Sequence, residues 1–299
     1  MSKTFLIAGG DLRQVYVAKS LAEKDFTVYA AGFDENIAFP EGVTVIDNIT
    51  LFSGRVDYLV LPLPVSNDGV TLNAPFCKSS IPINLLTTVV NDGGLVFGGR
   101  FSPVVKNMFT DCKIETADYL EREELNVLNA VPTAEGAVQI AMEELPRTIS
   151  GLDVLVLGAG RIGKVLVKIL HGLGAGITVA ARKYSDLAWA EIAGCKTVHI
   201  AKLPFSPLDY DLMFNTVPAA VLDEEALGRL GKDALVIDLA SKPGGVDFDA
   251  ARRLGIKVVW ALSLPGKVAP VTSGEIIAHT VLNILCEQKF SERGQYNCE

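Results

Sequence analysis

Residues 152–182 read LDVLVLGAGRIGKVLVKILHGLGAGITVAAR. An apolar run at 153–157 ends at Gly158, and Gly158, Gly160 and Gly163 form G-x-G-x-x-G ahead of a stretch with helical apolar spacing. A second apolar run follows at 177–181. The first glycine permits a tight turn, the second lets a pyrophosphate approach the backbone, and the third lets the helix pack against the strand. The N–H groups at the start of the helix then face phosphate. Strand, loop, helix and second strand together predict a dinucleotide-binding βαβ unit, with Gly158, Ala159, Gly160, Arg161, Ile162 and Gly163 as the loop. A tight turn without a ligand is the competing reading.

The end of the second strand selects the cofactor. An NAD site usually carries Asp or Glu about 20 residues on, bonded to the ribose hydroxyls. Here Arg182 and Lys183 stand in its place, with Ser185 adding a hydroxyl. A guanidinium can grip a 2′-phosphate that a carboxylate would repel. This favours NADP, against the alternative that Arg182 is a solvated surface charge. Two later loops lie at carboxyl ends of strands, where ligands of open α/β sheets bind. One carries Asn215, Thr216, Val217 and Pro218; the other carries Asp238, Ala240, Ser241, Lys242, Pro243, Gly244 and Gly245. Both are expected near the nicotinamide ribose. Asp238 reads equally as a cofactor residue and as an Asx turn or helix cap.

Working outward, candidate strands, most of them short apolar runs without strict alternation, lie at 4–8, 27–31, 43–46, 57–61, 94–97 and 113–115. They recur again at 153–157, 177–181, 197–200, 212–215, 235–238 and 257–260. Such runs suit parallel strands covered on both faces. The expected fold is therefore α/β, with two Rossmann-like doubly wound domains, the second of which binds the dinucleotide. The boundaries read as 1–118 for the first domain, 119–149 for a helical connection, 150–272 for the second domain and 273–299 for a C-terminal helix and tail. That helix is expected to return to the first domain, and the tail from 291 to fray. Within the connection, Pro132 predicts a break, after which Thr133 and Glu135 open a new helix.

Composition bounds the function. A chain of 299 residues stands at the limit of what a single core supports, roughly 250–300 residues, so two domains are expected. Net charge −8 without a basic stripe argues against nucleic acid. No apolar run reaches the roughly 18 residues of a membrane span, and the start lacks a secretory pattern. The expectation is a cytoplasmic protein. Five scattered cysteines and three separated histidines give no metal-ligand spacing.

The first strand, FLIAGGDLRQ, ends in a glycine turn too, yet Asp11 and Arg13 stand where a phosphate loop would continue with glycine. Taken in order, IAGGDLRQ, AVPTAEGA, LGAGRIG, NTVPAAV, DLASKPGGVDF and LPGKVAPVTSGEI resemble the A-subunit family of dipicolinate synthase over nearly the whole length. The resemblance implies oxidation of dihydrodipicolinate to dipicolinate with NADP. It also implies a smaller, flavoprotein-like partner, the B-subunit of dipicolinate synthase, and work in the mother cell during sporulation; a homo-oligomer is expected. Two substrate carboxylates call for local positive charge in an acidic protein. Arg13 is the first candidate, followed by Arg100, Lys242 and Lys267. Gly10, Gln14, Thr133, Pro243 and Gly244 join Arg13 and Lys242 as expected substrate contacts, with the first glycine turn facing the interdomain cleft. Asp11, Arg13, Thr133 and Glu135 are the catalytic candidates. Asp11 reads as a proton acceptor or, preferably, as the residue that orients Arg13; Thr133 and Glu135 read equally as an ordinary helix start.

Two rivals stand beside this reading. A D-2-hydroxy-acid dehydrogenase shares the domain order but needs a catalytic histidine. Neither His171 nor His279 is well placed to be one. A non-catalytic NADP-binding scaffold is the other.

Overall fold

The computed structural model describes residues 2–34 and 37–293. Twelve strands form two six-stranded parallel sheets. In the first sheet the strands are β1 (Thr4–Ala8), β2 (Thr27–Ala31), β3 (Val43–Ile46), β4 (Val56–Val60), β5 (Val90–Gly98) and β6 (Glu115–Asp118). In the second they are β7 (Asp153–Leu157), β8 (Gly176–Ala181), β9 (Lys196–His199), β10 (Leu212–Asn215), β11 (Leu235–Asp238) and β12 (Lys257–Trp260). The first runs β3-β2-β1-β4-β5-β6 and the second β9-β8-β7-β10-β11-β12, so both have the doubly wound Rossmann order. The chain reverses direction across each sheet between β1 and β4, and between β7 and β10. Loops at those switch points are where such sheets take ligands.

The chain divides into two units. One comprises the described residues up to Leu128 together with those from Ala269 onward; the other is Asn129–Val268. The helical stretch expected to connect the domains is thus split between them at residues 128 and 129.

In the first unit the helix Pro270–Arg293 packs against the helix Leu12–Ala22. Ile276, Ile277, Val281 and Leu285 enter the core made by Phe5, Val17, Leu21, Phe97 and Tyr119. The approach is close because residue 274 has no side chain: a Cβ there would collide with the carbonyl oxygen of Arg13 and the Cβ of Tyr16. The helix extends through Arg293, so the tail expected from 291 is helical over its first residues; 294–299 lie outside the described residues.

Strand β6, expected at 113–115, forms at Glu115–Asp118, and two further expectations shift. Strand β5 starts at Val90, ahead of the expected 94, by running through Asn91–Gly94, where Gly93 has φ +76°, with a register irregularity opposite Val56 and Tyr58. The break expected at Pro132 falls at Asn129 instead: one helix runs over Ala130–Glu144. Pro132 sits in its first turn, where a missing N–H removes no intrahelical bond.

Candidate functional site

The second unit builds a cradle at its switch point. Gly158 closes strand β7 with φ +100°, and its N–H donates to the Ala180 carbonyl at 2.8 Å. A Cβ on Gly158 would strike the Thr216 hydroxyl, and one on Gly163 the Gly158 carbonyl oxygen. A Cβ on Gly160 would meet no protein atom within 4 Å. The outer glycines are therefore required by packing, while the middle one borders open space. Gly160 is also the N-cap of the helix Arg161–Gly172, and no side chain caps that end. These features fit a dinucleotide pyrophosphate.

Across the switch point, Thr216 donates its hydroxyl to the Leu157 carbonyl at 2.9 Å, tying the β10 loop to the end of β7. Beyond β8, Arg182, Lys183 and Ser185 are all exposed. The first carboxylate after that strand, Asp186, lines an apolar cavity of about 330 Å³ with Ala159, Gly163, Lys164 and Trp189.

Asn215 and Asp238, expected at the cofactor, face inward. Both are fully buried. The Asn215 amide donates to Asp238 Oδ1 at 2.8 Å and to the Val217 carbonyl at 3.1 Å, while its oxygen accepts from Val217 N–H at 3.1 Å. Asp238 Oδ1 also accepts from Ala240 N–H at 3.0 Å and Oδ2 from Gly245 N–H at 2.9 Å. With every polar atom of the pair engaged, they shape the two loops instead of meeting a ligand with their side chains. Ala240 is buried as well, its carbonyl accepting from the Trp260 indole N–H at 3.0 Å. Gly244, expected at the substrate, is buried beneath Asp238, Phe248 and Trp260, with its N–H given to the Ser241 carbonyl. That leaves Ser241, Lys242 and Pro243 exposed on the β11 loop, and Pro218 with half-buried Val217 on the β10 loop.

In the first unit, the turn after β1 is closed by the chain itself. Gly9 N–H donates to the Ala31 carbonyl at 2.9 Å and Gly10 N–H to the Asn73 carbonyl at 2.8 Å. Leu72 and Ala74 lie over Gly9. The expectation that Gly10 offers its N–H to a substrate carboxylate is corrected on this geometry. Gln14 is corrected likewise: it is only 2% exposed, and a Cβ on Gly10 would press on its side chain.

Asp11 caps the helix Leu12–Ala22, accepting from Arg13 N–H. It also grips the Arg13 guanidinium through both oxygens. The remaining Nη2 proton goes to the Leu63 carbonyl at 3.2 Å, so Arg13 ties β1 to the loop after β4 at this sheet's own switch point. Burial pulls the guanidinium pKa down, but the hydrogen bonds and charge of Asp11, with Tyr119, together outweigh it and the net direction is up. Tyr119, fully buried beside it, donates to the Leu61 carbonyl at 2.9 Å, and burial pushes its hydroxyl strongly up. Arg100 is exposed at the end of β5, its backbone held by Asp118.

Residues 4–120 match the family model for the N-terminal domain of the dipicolinate synthase A-subunit. Over 291 residues the chain is 31% identical to the dipicolinate synthase A-subunit of Bacillus subtilis (strain 168), covering 96% of this chain and 97% of that protein. The chain belongs to the dipicolinate synthase A-subunit family. The crystal structure of the family member from Bacillus halodurans superimposes with TM-score 0.85 at 32% identity, covering 95% of this chain and 97% of that one. The A chain of dipicolinate synthase from Bacillus subtilis does so with TM-score 0.86 at 29% identity, covering 97% and 98%.

For a member of the dipicolinate synthase A-subunit family, the sequence motifs divide plainly in this structure. Thr133 is drawn into its helix, its hydroxyl donating to the Asn129 carbonyl at 2.7 Å, and Glu135 is exposed on the same helix. Lys267 is exposed on the short helix Leu264–Val268. His171 contacts the buried Cys195 thiol at 3.4 Å, and His279 is exposed on the C-terminal helix. Among the described residues no group of His, Cys, Asp and Glu could hold a metal ion, and no helix is long and apolar enough to cross a membrane. Sequence reasoning passed over His199 and Trp260, which brace the β8 and β11 loops. Each is the last residue of its strand, a position that already marks the ligand edge of an open α/β sheet.

Proposed function

We propose that this chain is an NADP-dependent oxidoreductase that converts dihydrodipicolinate to dipicolinate, working with a second subunit whose existence the name of its relatives implies. The observation that carries the reading is the glycine cradle: open at Gly160, packed shut at Gly158 and Gly163, and followed at the end of β8 by Arg182 and Lys183 instead of a carboxylate. Bound NADP would supply the hydride acceptor. Gly160 and the uncapped helix start take the pyrophosphate, Arg182 and Lys183 take the 2′-phosphate, and Thr216 to Pro218 with Ser241 flank the nicotinamide ribose.

The substrate is a cyclic imine carrying two carboxylates. It loses a hydride and a proton, and the ring becomes aromatic. That gain supplies driving force, so the chain's task is mainly to orient the ring and balance its charge. Arg13 is the residue we assign to one carboxylate. Its Nε and Nη2 are engaged by Asp11 and Leu63, which leaves Nη1 as the group that can meet an anion. Asp11 serves as its orienting partner. Lys242 and Arg100 are the next cations assigned.

The test is to mix purified protein with NADP and dihydrodipicolinate, with and without the second subunit. Absorbance at 340 nm should rise as the pyridine product accumulates. If neither signal appears in either mixture, the enzyme reading fails and a dinucleotide-binding scaffold replaces it.

A further inference from the structure

The β8 end that carries Arg182 is held by one side chain from the neighbouring strand. His199 closes β9 and pairs in register with Ala181, the residue before Arg182. Its Nδ1 lies 3.2 Å from the Ala201 N–H, which can only donate, so Nδ1 is the unprotonated, accepting nitrogen. The ring proton is therefore on Nε2, which donates to the Arg182 carbonyl at 2.8 Å. Both ring nitrogens are engaged and the tautomer is fixed by the protein. On the other side, the Tyr184 ring lies against the imidazole with centroids 5.0 Å apart and planes 30° from parallel.

The bond to the Arg182 carbonyl fixes the peptide plane between Arg182 and Lys183. That plane sets where both side chains leave the backbone. The Lys183 carbonyl then starts the helix Tyr184–Ile192 by accepting from Asp186 and Leu187. Arg182 and Lys183 themselves are exposed. Long exposed cations lose much side-chain entropy when they order around an anion, so a rigid backbone beneath them preserves discrimination.

We propose that His199 is a positioning residue for cofactor specificity: by anchoring the Arg182 carbonyl it sets the preference for a 2′-phosphorylated dinucleotide over its unphosphorylated counterpart. This rests on the reading of Arg182 as the 2′-phosphate group.

Two substitutions separate the roles of the two ring nitrogens. His199→Gln places an amide N–H near the position of Nε2 and keeps a donor for Arg182. His199→Asn places its oxygen near Nδ1 and keeps only the acceptor for Ala201. Affinities of the full chain for NADP and NAD, measured by calorimetry, are compared with those of Arg182→Ala. The expectation is that His199→Asn loses about five- to tenfold of the NADP-over-NAD preference, the worth of one hydrogen bond, while His199→Gln retains it and NAD affinity is unchanged in both. If Asn keeps the preference and Gln loses it, or if both cofactors weaken equally, His199 only caps its own turn and the proposal is overturned. If Arg182→Ala abolishes the preference while both His199 variants keep it, the 2′-phosphate reading stands and this inference alone falls. If the unmodified chain shows no preference, both fall.

Discussion

Asp11 and Arg13, two residues apart at the start of one helix, form a forked ion pair with Nε to Oδ1 at 2.9 Å and Nη2 to Oδ2 at 2.8 Å. The pair fills the anion-attracting end of the helix with the protein's own carboxylate. A glycine turn that looks in sequence like an interrupted phosphate loop is therefore self-satisfied. Among the described residues, Arg13 Nη1, on a side chain 13% exposed, is left without a hydrogen bond, as is the buried Oε1 of Gln14.

This geometry makes Arg13→Lys as informative as Arg13→Ala. Lysine keeps the charge but cannot hold Asp11 and the Leu63 carbonyl while presenting another donor. Both variants should lower kcat/KM for the dicarboxylate by roughly 10- to 100-fold, the range for a charge-assisted hydrogen bond. NADP affinity should stay within about twofold, since the site we propose for it lies in the other unit. Steady-state kinetics beside NADP titration checks it; equal loss of both would show that Arg13 supports the fold and not the substrate.

The glycine cradle predicts a split between stability and binding. Gly160→Ala adds a methyl where no protein atom lies within 4 Å, at φ −76°, a value alanine accepts. Its melting temperature should hold while dinucleotide affinity drops at least about tenfold, because the methyl stands where the pyrophosphate must approach. Gly163→Ala drives a methyl into the Gly158 carbonyl and should lose both, with about 1–3 kcal/mol of stability gone. Thermal melts and titrations of the two variants read the difference directly.

Much of this was legible in the sequence because parallel strands announce themselves as short apolar runs between turns. Eleven of the twelve strands overlap the expected segments over most of their expected length, β6 sharing only Glu115 with its own, and of the three loop glycines the outer two are packed while the middle one borders open space. What the sequence hid was partnering across distance. Nothing local shows that the Asn73 carbonyl occupies Gly10 N–H, or that Asn215 and Asp238, 23 residues apart, spend their polar atoms on each other. Pro132 misled for another reason: proline breaks a helix interior but suits a first turn, and only the position of Asn129 as N-cap tells which applies.

The Asp238 network supplies a stability prediction. Its two oxygens accept from three donors: the Asn215 amide, Ala240 N–H and Gly245 N–H. Asp238→Asn replaces one acceptor by an NH₂ group that must face a donor in a fully buried place. The variant should lose about 1–3 kcal/mol, visible as a lower denaturant midpoint. An unchanged midpoint would mean the network is not closed as described.

The C-terminal helix offers a pH prediction with a definite sign. Arg122 donates to Glu287 through Nη1 at 2.6 Å and Nη2 at 2.7 Å, and through Nε to Glu124 at 2.7 Å. The Arg122 hydrogen bonds hold both carboxyls below their ordinary value of 4.5. A carboxyl with a lowered folded-state pKa contributes stability that is fully present above 4.5 and is lost as pH falls through the folded-state value. Glu287 is 61% exposed, so solvent screening keeps its share small, under about 1 kcal/mol. Glu287→Gln should therefore lower stability slightly at pH 7 and merge with the unmodified chain in acid. The same difference should shrink in high salt, because the pair is exposed. Denaturant unfolding across pH, followed at low and high ionic strength, checks this. A gap between the two proteins that persists undiminished below the carboxylate range would show that Glu287 acts by packing and not by charge.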